Sequence, residues 1–183
     1  DSPSPKKYEG FVKDSKKWVI FPRLSFANHI MIEKRNVEIG KDFSTYSANK
    51  AEGGNSAKAV VTSGISYAYT KECLKDYPDV KLIKIATAYP FPEDFVLSSL
   101  EGAKEVLCIE ELSPFIEEQI LKLAGKHGLQ LKVSGKLDGK VQAGGENSTD
   151  KIAAIIGEFL GKDFTAEGYD LSDAPALPVR PPV

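Results

Sequence analysis

Short apolar runs alternate along this chain with longer segments whose apolar residues recur at helical spacing. The clearest run is residues 106–109, four consecutive apolar residues bounded by charge, a pattern typical of a strand buried on both faces of a sheet. In the segment that follows, Ile116, Ile120 and Leu123 lie at positions i, i+4 and i+7. This spacing predicts an amphipathic helix that packs one face against the sheet.

The same alternation of strand and helix extends over most of the chain. It predicts strands at residues 59–62, 80–87, 106–109 and 129–133, and helices at residues 64–74, 92–100, 114–124 and 149–160. Such alternation implies a mostly parallel sheet with helices on both faces and right-handed crossovers. The sequence therefore predicts a three-layer α/β/α domain, whose sheet has about five strands if the apolar run at residues 18–21 is included.

Prolines, turn formers and helix-capping residues mark the boundaries of elements in the rest of the chain. Pro22 stops the 18–21 run and starts a helix predicted for residues 24–43, whereas residues 44–57 are rich in turn formers and predict an exposed loop. Ser113 and Thr149 are predicted to cap the helices that follow them. Residues 1–16 and 162–183 contain proline and are interpreted as linkers, which leaves residues 17–161 as the domain and suggests a piece of a longer protein.

Composition narrows the class of function. The 183 residues are 42% hydrophobic and 27% charged with a net charge of −2, so no excess of cations favours nucleic acid or an anionic membrane as a partner. No apolar run approaches the roughly 20 residues that span a bilayer. Cys73 and Cys108 lie far apart in apolar segments and are interpreted as buried thiols in a reducing compartment. These features predict a cytoplasmic protein.

The turn between the 59–62 strand and the next helix is the first candidate site. Ser63 and Gly64 lie where backbone N–H groups and a positive helix end can hold an anion. The turn lacks the spacing of a phosphate-binding loop, and a glycine at such a turn more often serves close packing of helix on strand. The structural interpretation is therefore favoured over anion binding.

A second candidate site follows the 106–109 strand. Glu110 and Glu111 lie just past its carboxyl end, the edge where open α/β sheets place their ligands. Adjacent residues of an extended segment point to opposite sides, and the sequence offers no neighbouring nucleophile, metal cluster or histidine. Salt bridging or domain contact is therefore favoured over acid–base catalysis.

Two rings between prolines make a third candidate. Tyr89 and Pro90 follow the 80–87 strand, and Phe91 and Pro92 come next. The segment presents either a rigid apolar contact surface or a turn in which Phe91 fills the core. No residue is predicted to be catalytic, to bind a cofactor or to hold a metal.

Several motifs occur in a fixed order along the chain. They are FVKDSKKWVIFP with Asn28-His29, EGG at residues 52–54, TSGISYAYTKE, TAYPFPE, IEELSPFIEEQI, Gly135-Lys136 with Asp138-Gly139 and Gly145-Glu146, and a closing Arg180-Pro-Pro-Val. As an ordered set they resemble the middle segment of the alpha subunit of indolepyruvate:ferredoxin oxidoreductase, in the thiamine-dependent 2-oxoacid:ferredoxin oxidoreductase family. The resemblance covers most of the chain.

The resemblance implies a transketolase C-terminal-like domain within a larger enzyme. Such an enzyme oxidatively decarboxylates an aryl 2-oxoacid to an acyl-CoA and passes electrons to ferredoxin. Thiamine diphosphate, magnesium and iron–sulfur clusters would bind elsewhere in that enzyme, because residues 137–139 and Asn147 do not form the family's G-D-G…N motif and no cysteine cluster is present. The expected partners are the flanking domains of the same subunit, a beta subunit and ferredoxin.

The expected role of this segment is that of a scaffold between the thiamine-binding domains. Two alternatives stay open at this stage. One is a free-standing regulatory module that binds a small anion at Ser63-Gly64 and the Glu110-Glu111 edge, and the other is a dimerisation module of another 2-oxoacid oxidoreductase.

Overall fold

The computed structural model describes residues 10–18 and 20–162. The chain divides into two compact units, Asp1–Glu38 and Ile39–Val183. Most of the two predicted linkers, residues 1–9 and 163–183, lies outside the described residues.

Among residues 10–18 and 20–38, the described part of the first unit, the structure contains helix and no strand. Helix α1 is Ser15–Trp18, and helix α2, Pro22–Ser44, begins in this unit and ends in the second. The strand predicted at 18–21 was wrong, because Asp14 starts a helical turn by accepting hydrogen bonds from the N–H groups of Lys16, at 2.9 Å, and Trp18, at 2.9 Å. The predicted long helix from residue 24 is confirmed.

The second unit is built on a five-stranded sheet. Its strands are β1, Lys50–Glu52; β2, Lys58–Thr62; β3, Lys81–Lys84; β4, Glu105–Ile109; and β5, Lys132–Ser134. Their order across the sheet is β1-β3-β2-β4-β5. Strands β2 to β5 pair in parallel, and β1 pairs antiparallel to β3 with Lys50 opposite Lys84. The predicted mostly parallel sheet of about five strands is confirmed.

The fifth strand, however, is not the one the sequence suggested. Strand β1 falls within residues 44–57, which were predicted as an exposed loop. The prediction missed this strand because its three residues carry no apolar pattern. Gly53 follows β1 with a φ of +87°, and a Cβ there would lie 2.1 Å from the carbonyl oxygen of Val80. Only a glycine allows this close approach, which turns the chain away from the edge of the sheet.

Helices cover both faces of the sheet. They are α3, Gly64–Cys73; α4, Glu93–Ser99; α5, Phe115–His127; and α6, Thr149–Leu160. On one face, Val60 and Leu107 pack in one cluster with Ile152 of α6. On the other, Val61 and Cys108 pack in a second cluster that contains residues of α4 and α5. Successive strand residues therefore enter different cores, which explains the continuous apolar runs and confirms the three-layer α/β/α fold.

The packing of α5 predicts a sharp difference between two neighbouring residues. Ile120 is fully buried, whereas Leu121 is 42% exposed. Replacing Ile120 by alanine is expected to lower the free energy of unfolding by about 2–5 kcal/mol, since it leaves a cavity. The Leu121→Ala control is expected to change it by only about 0.5 kcal/mol. Urea titration of both variants measures these changes, and equal losses would contradict the assigned buried face.

Candidate functional site

The order of the strands defines where a ligand would be expected to bind. The chain leaves β2 toward β3 on one side and continues from β4 to β5 on the other, so β2 and β4 flank the point where the strand order reverses. In open α/β sheets the crevice outside the carboxyl ends of these two strands is the usual ligand site. Ser63-Gly64 follow β2 and Glu110-Glu111 follow β4, so two sequence-predicted candidates meet at this crevice.

The turn after β2 presents its backbone without a side-chain cap. Ser63 is the N-cap residue of α3, and its hydroxyl caps no N–H group of the helix. Gly64 has a φ of +54°, and a Cβ there would meet no atom within 4 Å. The expectation that this glycine allows close packing of the helix on the strand is therefore wrong. Its positive φ is the feature that favours glycine.

Glu110 holds the start of α5. Its side chain is almost fully buried, and its Oε2 and Oε1 accept hydrogen bonds from the N–H groups of Ile116, at 2.8 Å, and Glu117, at 3.0 Å. The predicted cap by Ser113 was wrong, since Pro114 occupies the N-cap position without a side-chain bond. The Glu110 carboxylate therefore occupies the positive N-terminal end of α5, the place where an external anion would otherwise bind.

Glu111 lies on the opposite side of the crevice, as alternation along an extended segment requires. Its Oε1 accepts hydrogen bonds from the Ser66 hydroxyl, at 3.4 Å, and from the Asn147 backbone N–H, at 3.2 Å. Asn147 is itself buried, and its Nδ2 donates to the Ser66 hydroxyl at 3.1 Å. Asn147 therefore joins the loop before α6 to the crevice through its N–H and its Nδ2, while its Oδ1 is buried without a hydrogen-bond partner.

A second buried carboxylate orders the loop after β5. Glu117 is 1% exposed, and its Oε2 accepts hydrogen bonds from the N–H groups of Lys136, at 2.7 Å, and Leu137, at 3.1 Å. A Cβ on Gly135 would lie 2.6 Å from the same oxygen. Gly135 therefore leaves the space that this carboxylate occupies.

The electrostatics of the crevice oppose both nucleophilic chemistry and anion binding. Burial raises the pKa of Glu110 above its usual range against the effect of its two N–H donors, and neighbouring Glu117 raises it further. Burial, together with Glu117 and Glu110, raises the pKa of the Cys108 thiol well above its usual value. The thiol is therefore protonated at neutral pH, and a small anion would meet the carboxylates of Glu110, Glu111 and Glu117.

The Tyr89 segment has one ring exposed and the other buried. Tyr89 is 70% exposed, while Phe91 is buried in the core shared with α4 and α5. The bond between Tyr89 and Pro90 is cis. Asn49 anchors the residues just before this segment, because its Oδ1 accepts hydrogen bonds from the N–H groups of Ala86, at 2.7 Å, and Thr87, at 3.2 Å.

Sequence reasoning missed the residues that the fold brings to the crevice from a distance. Ser66, Asn147 and Glu117 meet the carboxyl edge only after α3, α5 and α6 have packed. Ser66 and Glu117 lie in the motifs TSGISYAYTKE and IEELSPFIEEQI, but nothing in those motifs showed that they meet there. The predicted cap of α6 was also displaced by one residue, since the hydroxyl of Ser148, not of Thr149, accepts from Lys151 N–H at 3.3 Å. Cys108 is buried as predicted, but Cys73 is only partly buried.

The described ranges, 10–18 and 20–162, contain neither a metal-binding arrangement nor a membrane span. No three His, Cys, Asp or Glu side chains in them lie together as metal ligands. No helix among them combines the length and the apolar character needed to cross a bilayer.

The three-layer α/β/α architecture is consistent with a transketolase C-terminal-like fold. No protein-family model matches the chain. The chain is 30% identical to "Indolepyruvate oxidoreductase subunit IorA" of Thermococcus kodakarensis over 97% of its length. It is 31% identical to the subunit of the same name of Methanothermobacter thermautotrophicus over 95% of its length. The chain thus matches one segment of these IorA subunits, and it spans 28% of the length of each of them.

The Glu110 cap predicts a pH-dependent stability difference. Glu110→Gln keeps one acceptor and places an amide against the other N–H group, so we expect a loss of about 1–3 kcal/mol in unfolding free energy at pH 7. Because the pKa of Glu110 is raised in the folded state, the wild type should gain stability relative to the variant as the pH falls toward 4.5. Denaturant titrations at both pH values measure this difference.

The control for this experiment is Glu118→Gln, an exposed change in the same first turn of α5, which is expected to shift stability by about 0.5 kcal/mol. A difference between the wild type and Glu110→Gln that shrinks toward pH 4.5 would contradict the raised pKa.

Two glycine substitutions are expected to have opposite effects. Gly135→Ala places a Cβ against the Glu117 carboxylate and displaces a buried acceptor from its two N–H donors, so it should destabilise the fold by about 1–3 kcal/mol. Gly125→Ala lies within α5 with no atom near its Cβ and should stabilise by about 0.5–1 kcal/mol. Thermal unfolding of both variants tests the pair, and a stabilising Gly135→Ala would refute the role of Glu117.

Proposed function

We propose that this chain is a scaffold segment of the alpha subunit of an indolepyruvate:ferredoxin oxidoreductase. The observation that carries this proposal is the crevice between β2 and β4, where Glu110, Glu111 and Asn147 bond to backbone groups and to Ser66 of the same chain. Bonds between elements of one chain suit the crevice to holding those elements in place. Two of its buried polar atoms, the Thr62 hydroxyl and the Asn147 Oδ1, have no hydrogen-bond partner.

The residues of this segment do not fit thiamine diphosphate. A diphosphate needs free backbone N–H groups or cations, whereas the start of α5 is neutralised by Glu110, and Glu111 and Glu117 add negative charge at the same edge. In this proposal thiamine diphosphate, magnesium and iron–sulfur clusters therefore bind to other parts of the enzyme. We assign no catalytic step to a residue of this chain.

The similarity to IorA subunits supports the reaction assigned to the whole enzyme. We infer that it oxidatively decarboxylates an aryl 2-oxoacid of the indolepyruvate type to an acyl-CoA, with ferredoxin as the electron acceptor. The segment would contribute by holding the thiamine-binding domains in register, since fixed relative geometry of reacting groups lowers the barrier to reaction. Its partners would be the flanking domains, a beta subunit and ferredoxin, in the cytoplasm.

A small-anion-binding module is the weaker alternative. The turn at Ser63-Gly64 has no basic side chain bonded to it among the described residues. Glu111 lies close to this turn, since its carboxylate accepts a hydrogen bond from the Ser66 hydroxyl in the first turn of α3. A negative group beside the turn lowers its affinity for an anion.

The proposal is tested by comparing the 183-residue chain with the full-length subunit from the same reading frame, produced with its beta subunit. Calorimetry is expected to show no binding of thiamine diphosphate or indolepyruvate to the 183-residue chain. The complete enzyme is expected to reduce ferredoxin when supplied with indolepyruvate and coenzyme A. Micromolar binding of either ligand to the chain alone, or a complete enzyme without oxoacid-dependent reduction, would refute the proposal.

A further inference from the structure

Large apolar side chains are exposed along one edge of the second unit. Seven large hydrophobic residues are exposed among residues 39–162, and all but Leu121 lie at the carboxyl edge of the sheet. We call these six the apolar rim: Tyr46, Ile65, Tyr89, Leu112, Phe115 and Leu137. Their exposed fractions run from 37% for Phe115 to 72% for Leu112.

Every strand of the sheet contributes to the apolar rim. Ile65 follows β2, Tyr89 follows β3, Leu112 and Phe115 follow β4, and Leu137 follows β5. Tyr46 precedes β1, whose antiparallel pairing with β3 brings its start to the same edge. Since neighbouring strands are about 4.8 Å apart, the rim extends for about 20 Å across the sheet. The described loops at the amino edge contribute no large exposed hydrophobic residue.

The rim is too well supported to be an incidental scatter of apolar residues. Leu112 has a φ of +57°, a left-handed conformation that is uncommon for a leucine. The neighbouring Glu110 and Glu111 are both fixed by hydrogen bonds, so the chain holds Leu112 in this conformation with its side chain in solvent. Exposed apolar side chains gathered at one edge of a domain favour contact with another part of a protein.

We propose that the apolar rim is the surface on which this segment docks onto the rest of its own subunit, an inference that rests on the function proposed above. More than two thirds of each IorA relative lies outside the segment that this chain matches, so the subunit has ample chain to cover the rim. The crevice beneath the rim is already filled by Asn147, which favours a protein surface over a small molecule as the occupant.

Charge near the rim favours a different surface over a second copy of this chain. Asp94 and Glu118 lie exposed in the first turns of α4 and α5, five residues after Tyr89 and three residues after Phe115. Two copies packed rim to rim would bring these carboxylates together, and like charges across an interface oppose association. A neutral or basic face of the flanking chain avoids this repulsion.

Hydrogen–deuterium exchange of the full-length subunit, compared with the 183-residue chain, tests the docking. Amides of residues 64–66, 111–113 and 136–140 are expected to exchange at least about tenfold more slowly in the full-length subunit, because the occupant covers them. Amides of the amino-edge loops, residues 101–104 and 128–131, serve as the internal control and should change little. Equal exchange of the rim amides in both proteins would overturn the proposal.

A pair of variants identifies the side chains responsible. Leu112→Asp removes an apolar contact at a φ that aspartate tolerates, so the isolated chain should keep its thermal midpoint. In the full-length subunit it should abolish the tenfold protection. Leu121→Asp adds the same charge on the exposed side of α5 outside the rim and should leave the protection intact. Loss of protection in both variants, or in neither, would overturn the assignment to the rim.

Two further outcomes separate this inference from the function proposed above. If the rim becomes protected in the isolated chain as its concentration rises, the occupant is a second copy and the docking proposal is overturned. If the rim is protected in a full-length subunit whose complete enzyme does not reduce ferredoxin, docking is supported and the proposed function fails. Oxoacid-dependent activity with an unprotected rim refutes docking alone.

Discussion

The carboxylate of Glu110, just past the end of the internal strand β4, makes the interaction on which the carboxyl edge of the sheet depends. It accepts two backbone N–H groups at the start of α5 and so fixes that helix to the strand before it. One of those N–H groups belongs to Glu117, whose own carboxylate accepts from Lys136 and Leu137. Two buried carboxylates thus connect β4 to α5 and α5 to the loop after β5. They also place two like charges near each other.

The sheet and its helices could be predicted from the sequence because burial on both faces leaves a continuous apolar run. Strand β4 has that run, and α5 has its helical spacing. Strand β1 could not be found in this way, since Lys50, Ala51 and Glu52 form an edge strand fixed by pairing with β3 and by the close approach at Gly53. The apolar run at 18–21 led to a wrong strand prediction, because the hydrogen bonds to Asp14 favour a helical turn there over a strand.

The candidate site was predictable only in part. Position after a strand located Ser63-Gly64 and Glu110-Glu111 at one edge, and the structure joins them through Ser66. What these residues do there depends on Asn147, which comes from a loop 36 positions further along the chain than Glu111. Contacts over such sequence separations follow from packing, which no local pattern encodes. The motifs that carry the family resemblance include Gly53, Glu110, Glu117 and Gly135, and in this fold each makes a close contact that joins two elements.

The two outermost strands bear on whether the sheet can pair with another sheet. Both β1 and β5 have only three residues, and each begins with an exposed lysine, Lys50 and Lys132. A short strand offers few unpaired backbone groups to another sheet, and a charged side chain on it opposes edge-to-edge pairing. The sheet is therefore protected against edge-to-edge aggregation at both sides, although six large apolar side chains are exposed at its carboxyl edge.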